Sequence, residues 1–132
     1  MLNSPLKMYQ QASVQTAGSG QLLLMLYEGG IRFTKAASEA IHRRDFEAAN
    51  TNLKKAQAII HELVASLNHD YAIAKDLARI YEYLLHLLIQ SNIQKNASMS
   101  EEVLQHLTEL RDAWKQVVKG SGAIQAPEAN RV

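Results

Sequence analysis

The stretch FEAANTNLKKAQAIIHELVASL, residues 46–67, contains the pattern that decides the fold of this 132-residue chain. Its apolar residues recur at intervals that alternate between three and four positions, and they are Phe46, Ala49, Leu53, Ala56, Ile60, Leu63 and Leu67. This is a heptad spacing, in which one stripe of an α-helix packs against neighbouring helices. The stretch therefore predicts a long amphipathic helix within a helical bundle.

The same spacing recurs near the C-terminus, and apolar-periodic segments fill most of the rest of the chain. The second seam consists of Val103, Leu107, Leu110, Trp114 and Val117. We expect helices at about residues 21–43, 46–67, 71–94 and 98–119, because the period is close to 3.6 and no window alternates as a strand would. Connections of a few residues force consecutive helices to lie antiparallel. The predicted fold is all-α: an antiparallel up-down-up-down four-helix bundle with a short N-terminal helical segment.

Polar residues between the periodic segments predict where the helices begin and end. Asp45 is expected to cap the second helix, and Asn68 is expected to take the left-handed turn that ends it. Asp70 is expected to cap the third helix. Ser98 and Glu101 have the spacing of a capping box before the fourth helix.

The pattern divides the chain into a bundle and two terminal segments. We expect the bundle to span residues 17–119, and a disordered tail to follow at residues 120–132, where a Gly-Ser-Gly run ends the fourth helix. Residues 1–16 form a separate segment, in which Leu6 and Tyr9 share one face of a short helix. Such a helix is marginal alone and needs a groove to lie in. We interpret this segment as a cover for an apolar groove.

Composition excludes several classes of partner and site. Fourteen basic and thirteen acidic residues leave a net charge of +1, and no clustered basic face points to nucleic acid or a membrane surface. The absence of cysteine excludes disulfides and thiolate zinc sites. No N-terminal secretory pattern and no membrane-length apolar run is found, so we expect a cytoplasmic protein without membrane insertion. No cofactor is predicted.

Two histidine patterns were considered as sites of chemistry. Glu39 and His42 match half of a di-iron bundle site, but the second half is missing and both residues point away from the apolar stripe. His61 is placed like the histidine of a phosphotransfer domain, although Val64 and Ala65 stand where such domains typically have Lys and Gly. A histidine phosphotransfer domain using His61 remains the alternative from another functional class.

The third helix carries more apolar surface than a bundle needs. At 100° per residue its apolar side chains cover an arc of about 200°, whereas somewhat more than 100° is enough to pack on a core. The candidate contact residues on this arc are Leu77, Ile80, Tyr81, Leu84 and Leu88. We interpret one side of the arc as core and the other as a surface that another polypeptide covers.

The first helix shows a similar excess at its start. Residues 22–26 are five consecutive apolar side chains, which at 100° each extend around the whole helix. Either the two helices are simply packed centrally, or part of this surface receives a partner. The candidate contacts are Leu22, Met25, Leu26 and Phe33.

Gly29 and Asn92 are unusual at their positions. A glycine inside a helix costs about 1 kcal/mol relative to alanine, so Gly29 predicts either a close approach of two helices or a partner backbone nearby. Asn92 falls inside the apolar arc of the third helix, where a buried amide needs hydrogen-bond partners. It either meets solvent or a helix end, or it binds the backbone of a partner.

An ordered series of motifs resembles the flagellar secretion chaperone family, FliS. The resemblance covers about residues 8–118. This chain differs mildly from the family at two places. It has Gly20 where the family commonly has Pro, and Glu28-Gly29-Gly30 where the family has Asp-Gly-Ala. The matching residues are Tyr9, Val14-x-Thr16-Ala17, Leu22-x-x-x-Leu26-Tyr27-x-Gly29, Leu53-x-x-Ala56-Gln57-x-Ile59-x-x-Leu63-x-x-x-Leu67, Tyr81, Asn92-Ile93 and Trp114.

The resemblance implies an export chaperone and no enzymatic activity. In this family the C-terminal segment of flagellin wraps the bundle in apolar grooves before export, which prevents premature polymerisation, and the N-terminal segment covers part of the same surface. Tyr9, Leu26, Gly29 and Asn92 carry over as motif positions. We expect the flagellin C-terminal segment as partner, with the flagellar export apparatus as a further partner, and a monomer or weak homodimer. A generic helical dimerisation module is the remaining alternative.

Overall fold

Four antiparallel helices form the part of the chain that the structure describes. This computed structural model describes the backbone of residues 19–125 and the side chains of residues 20–120. The helices are α1 (Ser19–His42), α2 (Phe46–Ala65), α3 (Ala72–Gln94) and α4 (Ala97–Gln125). Each packs on the next along the chain, and α4 also packs on α1, which closes the bundle. The predicted all-α four-helix bundle is confirmed.

The heptad seam of α2 lies at the centre of the core. Five of its residues, Ala49, Leu53, Ala56, Ile60 and Leu63, have no exposed surface, and Leu67 in the following turn is also buried. Phe46 differs, because it is 36% exposed and its ring lies 5.3 Å from the guanidinium carbon of Arg44. As the first residue of α2 it lies at the end of the bundle, where neighbours cover the ring only in part.

The heptad seam of α4 lies partly in the core and partly on a surface that faces α3. Val103, Leu107 and Trp114 are buried, whereas Leu110 and Val117 are only partly buried. The indole N–H of Trp114 donates a 3.1 Å hydrogen bond to the carbonyl oxygen of Gly20. This bond ties the later part of α4 to the start of α1.

The predicted cap of α2 is confirmed. The carboxylate Oδ1 of Asp45 accepts a 3.2 Å hydrogen bond from the backbone N–H of Ala48, which is one of the donors without a partner in the first helical turn. Arg44, with φ 62°, takes the left-handed conformation that separates α1 from this cap.

The predicted turn between α2 and α3 is wrong in detail. Asn68 does not take a left-handed conformation; its side-chain oxygen accepts a 2.9 Å hydrogen bond from the N–H of Asp70. This local side-chain turn supplies the bend without a positive φ. Asp70 does not cap α3, because the capping position belongs to Tyr71, whose side chain makes no capping hydrogen bond.

Both predicted ends of α4 are also corrected. The helix begins at Ala97, and the side-chain oxygen of Asn96 accepts a 2.9 Å hydrogen bond from the N–H of Ser98, so the expected capping box at Ser98 does not form the start. Asparagine is as good a cap as serine, and it comes earlier. The helix continues through Gly120 to Gln125, because no described glycine adopts the positive φ that would end it.

Two glycines bring α1 close to its neighbours. A Cβ at Gly29 would lie 3.3 Å from Cδ1 of Ile59 on α2, and a Cβ at Gly30 would lie 3.2 Å from Cδ1 of Leu107 on α4. Of the two interpretations of Gly29, the close helix approach is the one observed. As a result α1 packs extensively on α2 and α4, and α3 packs less extensively on the same two helices.

Several predictions concern residues that lie outside the described ones. They are the N-terminal cover with Leu6 and Tyr9, and the part of the tail at residues 126–132. None of the described helices is long and apolar enough to cross a membrane.

Candidate binding groove

An open apolar groove runs between α3 and α4. We call it the α3–α4 groove and define it by Ile73, Ile80 and Tyr83 on α3 and by His106, Leu110, Ala113 and Val117 on α4. The α4 residues follow one another at four, three and four positions, which is one face of a helix. Because the helices are antiparallel, the start of α3 faces the later part of α4.

The deeper part of the groove is a small apolar cavity, which we call the Trp114 cavity. It has a volume of about 140 Å³ and is lined by Leu23, Tyr27, Ile73, Leu77, Leu110, Ala113, Trp114 and Val117. The indole N–H of Trp114 is bonded to Gly20, and the hydroxyl oxygens of Tyr27 and Tyr81 lie 2.6 Å apart in a hydrogen bond. Burial raises the pKa of Tyr27 to about 12. The polar atoms of the aromatic walls are thus engaged, and the cavity offers carbon surface.

The wider part of the groove, which we call the Tyr83 cleft, adjoins this cavity at Leu110. It has a volume of about 420 Å³ and is lined by Arg79, Ile80, Tyr83, His106, Glu109 and Leu110. Leu110 lines both spaces, so the two are neighbours along the groove.

A polar cluster closes the far end of the Tyr83 cleft. The Tyr83 hydroxyl donates a 2.6 Å hydrogen bond to the carboxylate of Glu102, and Nε2 of His106 lies 3.2 Å from the same oxygen. The hydrogen bond from Tyr83, followed by that from His106, lowers the pKa of Glu102 below its ordinary value. The same bond raises the pKa of Tyr83. The cluster joins α3 to α4 and limits the apolar part of the groove to the stretch before Tyr83.

The edge of α3 along this groove is apolar and partly exposed. Ile73 is 36% exposed, Ile80 38% and Tyr83 45%. Apolar side chains that line a continuous groove mark a contact surface more often than isolated ones do. Ile73 and Ile80 on this edge belong to the apolar arc described for the third helix, whereas Tyr83 does not.

Most of the α3 residues that we predicted as contacts lie in the core instead. Leu84 and Leu88 have no exposed surface, Tyr81 is 1% exposed and Leu77 is 8% exposed. They form the centre of the apolar arc, which α1, α2 and α4 cover. Of the five α3 candidates on the arc, only Ile80 lies on the open edge. A helical wheel gives the width of an arc but not the part that neighbours cover. Tyr81, Leu84 and Leu88 are covered by the neighbouring helices, whereas Leu77, although largely buried, lines the Trp114 cavity.

The predicted residues of α1 form a second surface, which we call the α1 stripe. Leu22 is 55% exposed and Met25 67%, while Leu26 and Phe33 are partly buried. Gly29 lies on the same side of α1, buried against Ile59 of α2. The stripe therefore follows the α2 side of α1 and lies on a different face of the bundle from the α3–α4 groove.

Phe33 at the end of the α1 stripe has two cations close to its ring. The guanidinium carbon of Arg32 lies 5.1 Å from the ring centroid, and Nζ of Lys55 lies 5.5 Å from it. Both distances are within the range of a cation–π contact. The stripe thus ends in an aromatic residue with positive charge beside it.

The amide of Asn92 is satisfied within the bundle. Its nitrogen donates a 2.7 Å hydrogen bond to the side-chain oxygen of Asn50 on α2, and its oxygen accepts a hydrogen bond from Nζ of Lys95. Asn92 therefore ties the end of α3 to the start of α2, on neither of the two apolar surfaces.

Sequence reasoning missed three lining residues of the groove, Tyr83, His106 and Ala113. Tyr83 follows Ile80 by three positions, and that spacing was a usable signal for a shared face. Ala113 gave no signal, because a small residue at the edge of a seam is compatible with either core or surface. Leu110 and Val117 were identified as seam residues but not as groove residues.

The patterns considered for chemistry lie on the surface. Glu39 and His42 are exposed as predicted, and Nε2 of His42 lies 2.8 Å from Glu101. His61 is exposed as well, beside Val64 and Ala65. Among the described residues, no three acidic or histidine side chains are grouped so as to hold a metal ion.

These features define a class of protein. The described residues form a helical bundle with apolar surface open on two faces, and such surfaces are typical of proteins that hold another polypeptide as a helix in a groove.

Comparison with known proteins identifies the family within this class. The profile of the family "Flagellar protein FliS" matches residues 1–121. The flagellar secretion chaperone FliS of Bacillus subtilis is 41% identical over 130 residues, which cover 93% of this chain and 98% of the relative. FliS of Salmonella typhimurium is 33% identical over 121 residues, covering 86% and 90% of the two chains. The chain belongs to the FliS family of flagellar secretion chaperones, which are not enzymes. The predicted resemblance is confirmed.

Proposed function

We propose that this chain is a cytoplasmic export chaperone that holds the C-terminal segment of flagellin against its apolar surfaces. Membership of the FliS family supports this function, and so do the sequence motifs that resemble those of the family. The observation that carries it is the α3–α4 groove, whose apolar edge at Ile80 is open to a partner in the folded bundle. Holding the segment before secretion prevents premature polymerisation of the client.

Binding of an unfolded segment requires several anchors. Ordering such a segment costs about 2–5 kcal/mol or more, and each well-buried Leu, Ile or Phe contributes about 1.5–3 kcal/mol. The Trp114 cavity, the Tyr83 cleft and the α1 stripe offer three separate places for such anchors. Because the stripe and the groove lie on different faces, a client that uses both has to wrap around the bundle.

The α1 stripe has the composition of an adaptable contact. Met25 is flexible and polarizable, so its side chain adjusts to partners of different shape. Leu22 and Leu26 lie within a turn of it. In this proposal the stripe adds affinity, and the walled cavities of the groove select which side chains bind.

Gly29 and Asn92 serve the same function indirectly. Gly29 lets α1 and α2 pack closely beneath the stripe, and Asn92 holds the end of α3 against α2. Both keep the apolar surfaces in their relative positions. Their place in the family motif is explained by packing within the bundle.

The groove is tested by placing a charge on its open edge. Ile80→Asp puts a carboxylate in the Tyr83 cleft at a partly exposed position, so the bundle tolerates it while an apolar anchor is repelled. We expect the affinity for a synthetic flagellin C-terminal peptide, measured by calorimetry, to fall at least about tenfold, which corresponds to about 1.4 kcal/mol.

The matched control is Ile93→Asp, the same change on the same helix at a side chain that is 70% exposed and lines neither cavity. It should change the affinity less than about twofold, on the usual scale of surface substitutions. Equal weakening by both variants, or unchanged binding by Ile80→Asp, would contradict the assignment of the groove. Leu84→Asp and Leu88→Asp are unsuitable tests, because these side chains are fully buried and we expect an unpaired carboxylate there to destabilise the bundle itself.

A further inference from the structure

Resting on the proposed function, we propose that Arg32 and Lys55 form a carboxylate-binding site at the end of the α1 stripe. Both side chains lie against the ring of Phe33, which is the last residue of the stripe. A client segment that lies along the stripe brings a carboxylate, either its own C-terminus or an acidic side chain, to this pair of cations.

The two cations come from different helices and meet at one ring. Arg32 belongs to α1 and Lys55 to α2. The guanidinium carbon of Arg32 lies 5.1 Å from the ring centroid of Phe33, and Nζ of Lys55 lies 5.5 Å from it. Because a cation is attracted to an aromatic ring at such distances, the ring holds both charges at the same place on the surface.

The guanidinium of Arg32 lies along the stripe. Its Nη2 is 3.9 Å from the position that a Cβ at Gly29 would take, and Gly29 is one turn before Phe33 on the α2 side of α1. The absence of a side chain at Gly29 thus leaves room for the guanidinium there. A guanidinium beside an aromatic ring still presents a planar fork of N–H donors that matches a carboxylate.

Neither cation is neutralised by an acidic residue of the bundle. The ion pairs among the described residues include neither Arg32 nor Lys55. Glu28, one turn before Arg32, pairs instead with Arg111 of α4 at 3.2 Å. The next acidic residue along each helix is seven positions further on, which is about 10.5 Å away. Both charges are therefore available to an anion.

The apolar stripe beside the cations favours a carboxylate of a polypeptide over other anions. Leu22 and Met25 on the stripe are exposed, and Leu26 is partly buried. An inorganic phosphate has no apolar part that covers these side chains. A polypeptide covers them with its own apolar residues and carries carboxylates as well, which accept short, charge-assisted hydrogen bonds from Arg and Lys.

The first experiment neutralises the two cations singly and together. We expect Arg32→Gln and Lys55→Gln each to weaken binding of a flagellin C-terminal peptide about twofold to threefold at low ionic strength, and the double variant about fivefold or more, on the scale of exposed ion pairs. High ionic strength should reduce these effects, because salt screens exposed charges. Calorimetry with the full-length chain measures the affinity, and the melting temperature shows that each variant is folded.

Two matched controls remove the same charges away from the stripe. Arg44→Gln removes a guanidinium that also lies beside a phenylalanine ring, 5.3 Å from the centroid of Phe46. Lys54→Gln removes the exposed lysine that precedes Lys55, which points about 100° away from it around α2. Each control lowers the net charge by one, as the test variants do, and each should change the affinity less than about twofold.

The second experiment identifies the source of the carboxylate. The peptide is compared in its free-acid and C-terminally amidated forms, and with each Asp or Glu replaced in turn by Asn or Gln. One of these changes should weaken binding to the wild-type chain about threefold to fivefold, and binding to the double variant less than about twofold, as is typical of groups in contact. Sensitivity to amidation assigns the C-terminus, and sensitivity to one replaced side chain assigns an acidic residue.

The outcomes separate this inference from the proposed function. If the wild-type chain does not bind the peptide, the proposed function fails and the carboxylate site fails with it. If it binds, but Arg32→Gln and Lys55→Gln behave like the two controls, the site is wrong and the proposed function stands. The same conclusion follows if every carboxylate of the peptide matters as much to the double variant as to the wild-type chain.

Discussion

At the scale of single residues, one buried side-chain oxygen has no hydrogen-bond partner among the described residues. It is the hydroxyl of Thr34 on α1, which is fully buried. One turn away, the hydroxyls of Ser38 and Ser100 lie 2.6 Å apart and join α1 to α4. The same helix thus carries one satisfied and one unsatisfied buried hydroxyl, which allows a matched comparison.

Thr34→Val should stabilise the protein. The change keeps the shape of the side chain and removes an unpaired buried hydroxyl, so we expect the free energy of unfolding to rise by about 1 kcal/mol. Ser38→Ala removes a partner from a buried bond and should lower the same quantity by about 1 kcal/mol. Urea denaturation of both variants measures this, and a loss of stability in Thr34→Val would show that its hydroxyl has a partner.

The buried Tyr27 hydroxyl makes stability depend on alkaline pH. Its pKa is raised from 10.0 to about 12 by burial. Below pH 10 the hydroxyl is protonated in the folded and the unfolded chain alike. Between about pH 10 and 12 the unfolded chain loses this proton and the folded one keeps it, so the free energy of unfolding falls as pH rises, by up to about 1.4 kcal/mol per unit.

Tyr27→Phe should remove this contribution. Urea denaturation at pH 9, 10 and 11 should give a shallower decline for the variant than for the wild-type chain, although the variant starts from a lower stability at pH 9. Parallel declines would mean that Tyr27 titrates in the folded protein as it does in the unfolded one.

At the scale of the helices, periodic patterns located the elements, and local polar groups decided their ends. The first, second and third helices begin or end within a few residues of the predicted positions. The predictions of helix ends were wrong where two nearby polar residues could each cap the helix, as Asn96 and Ser98 could at the start of α4. The side-chain oxygen of Asn96 accepts hydrogen bonds from both the N–H and the hydroxyl of Ser98, so the earlier residue is the cap.

Asn96→Ala should therefore destabilise α4 more than Ser98→Ala does. Loss of an N-cap typically costs about 0.5–2 kcal/mol, whereas Ser98 loses only a hydroxyl that donates to the cap. Thermal unfolding of the two variants provides the test. A larger effect of Ser98→Ala would restore Ser98 as the capping residue.

At the scale of the whole molecule, close packing of α1 leaves α3 as the helix with open edges. The Gly29–Gly30 pair brings α1 near α2 and α4, and no glycine does this for α3. A surplus of apolar residues on the less closely packed helix contributes to a groove, whereas on α1 the surplus is divided between buried side chains such as Leu23 and the exposed Leu22 and Met25 of the α1 stripe. The open groove would be an aggregation liability without a cover.

Deleting residues 1–10 tests whether the N-terminal segment is that cover. We propose that Leu6 and Tyr9 compete with the client for apolar surface, so the deletion should raise the affinity for a flagellin C-terminal peptide about fivefold, or about 1 kcal/mol. Replacing Leu6 and Tyr9 by serine in the full-length chain should have the same effect. Calorimetry measures both, and equal or weaker binding would refute the competition.

The candidate site was predicted from the sequence only in part. The pattern indicated that α3 has apolar surface to spare, and Ile80, one of the candidate contacts, is partly exposed at the groove. It did not distinguish Ile80 from Leu84, because both lie on the same apolar arc and only the positions of α1 and α4 decide which one is covered. The residues of α4 that complete the groove belong to a different part of the chain, and no local pattern connects them with α3.

The amino-acid sequence by itself determined that this chain folds into four antiparallel helices and that it belongs with the flagellar secretion chaperones, because both depend on periodicity and on motifs that are local in the chain. The tertiary structure alone decided where the open surface lies. The position of the open surface depends on how closely the helices approach each other. The contacts of Gly29, Gly30 and Leu107 set this distance for α1. Such distances arise only when residues far apart in the chain come together.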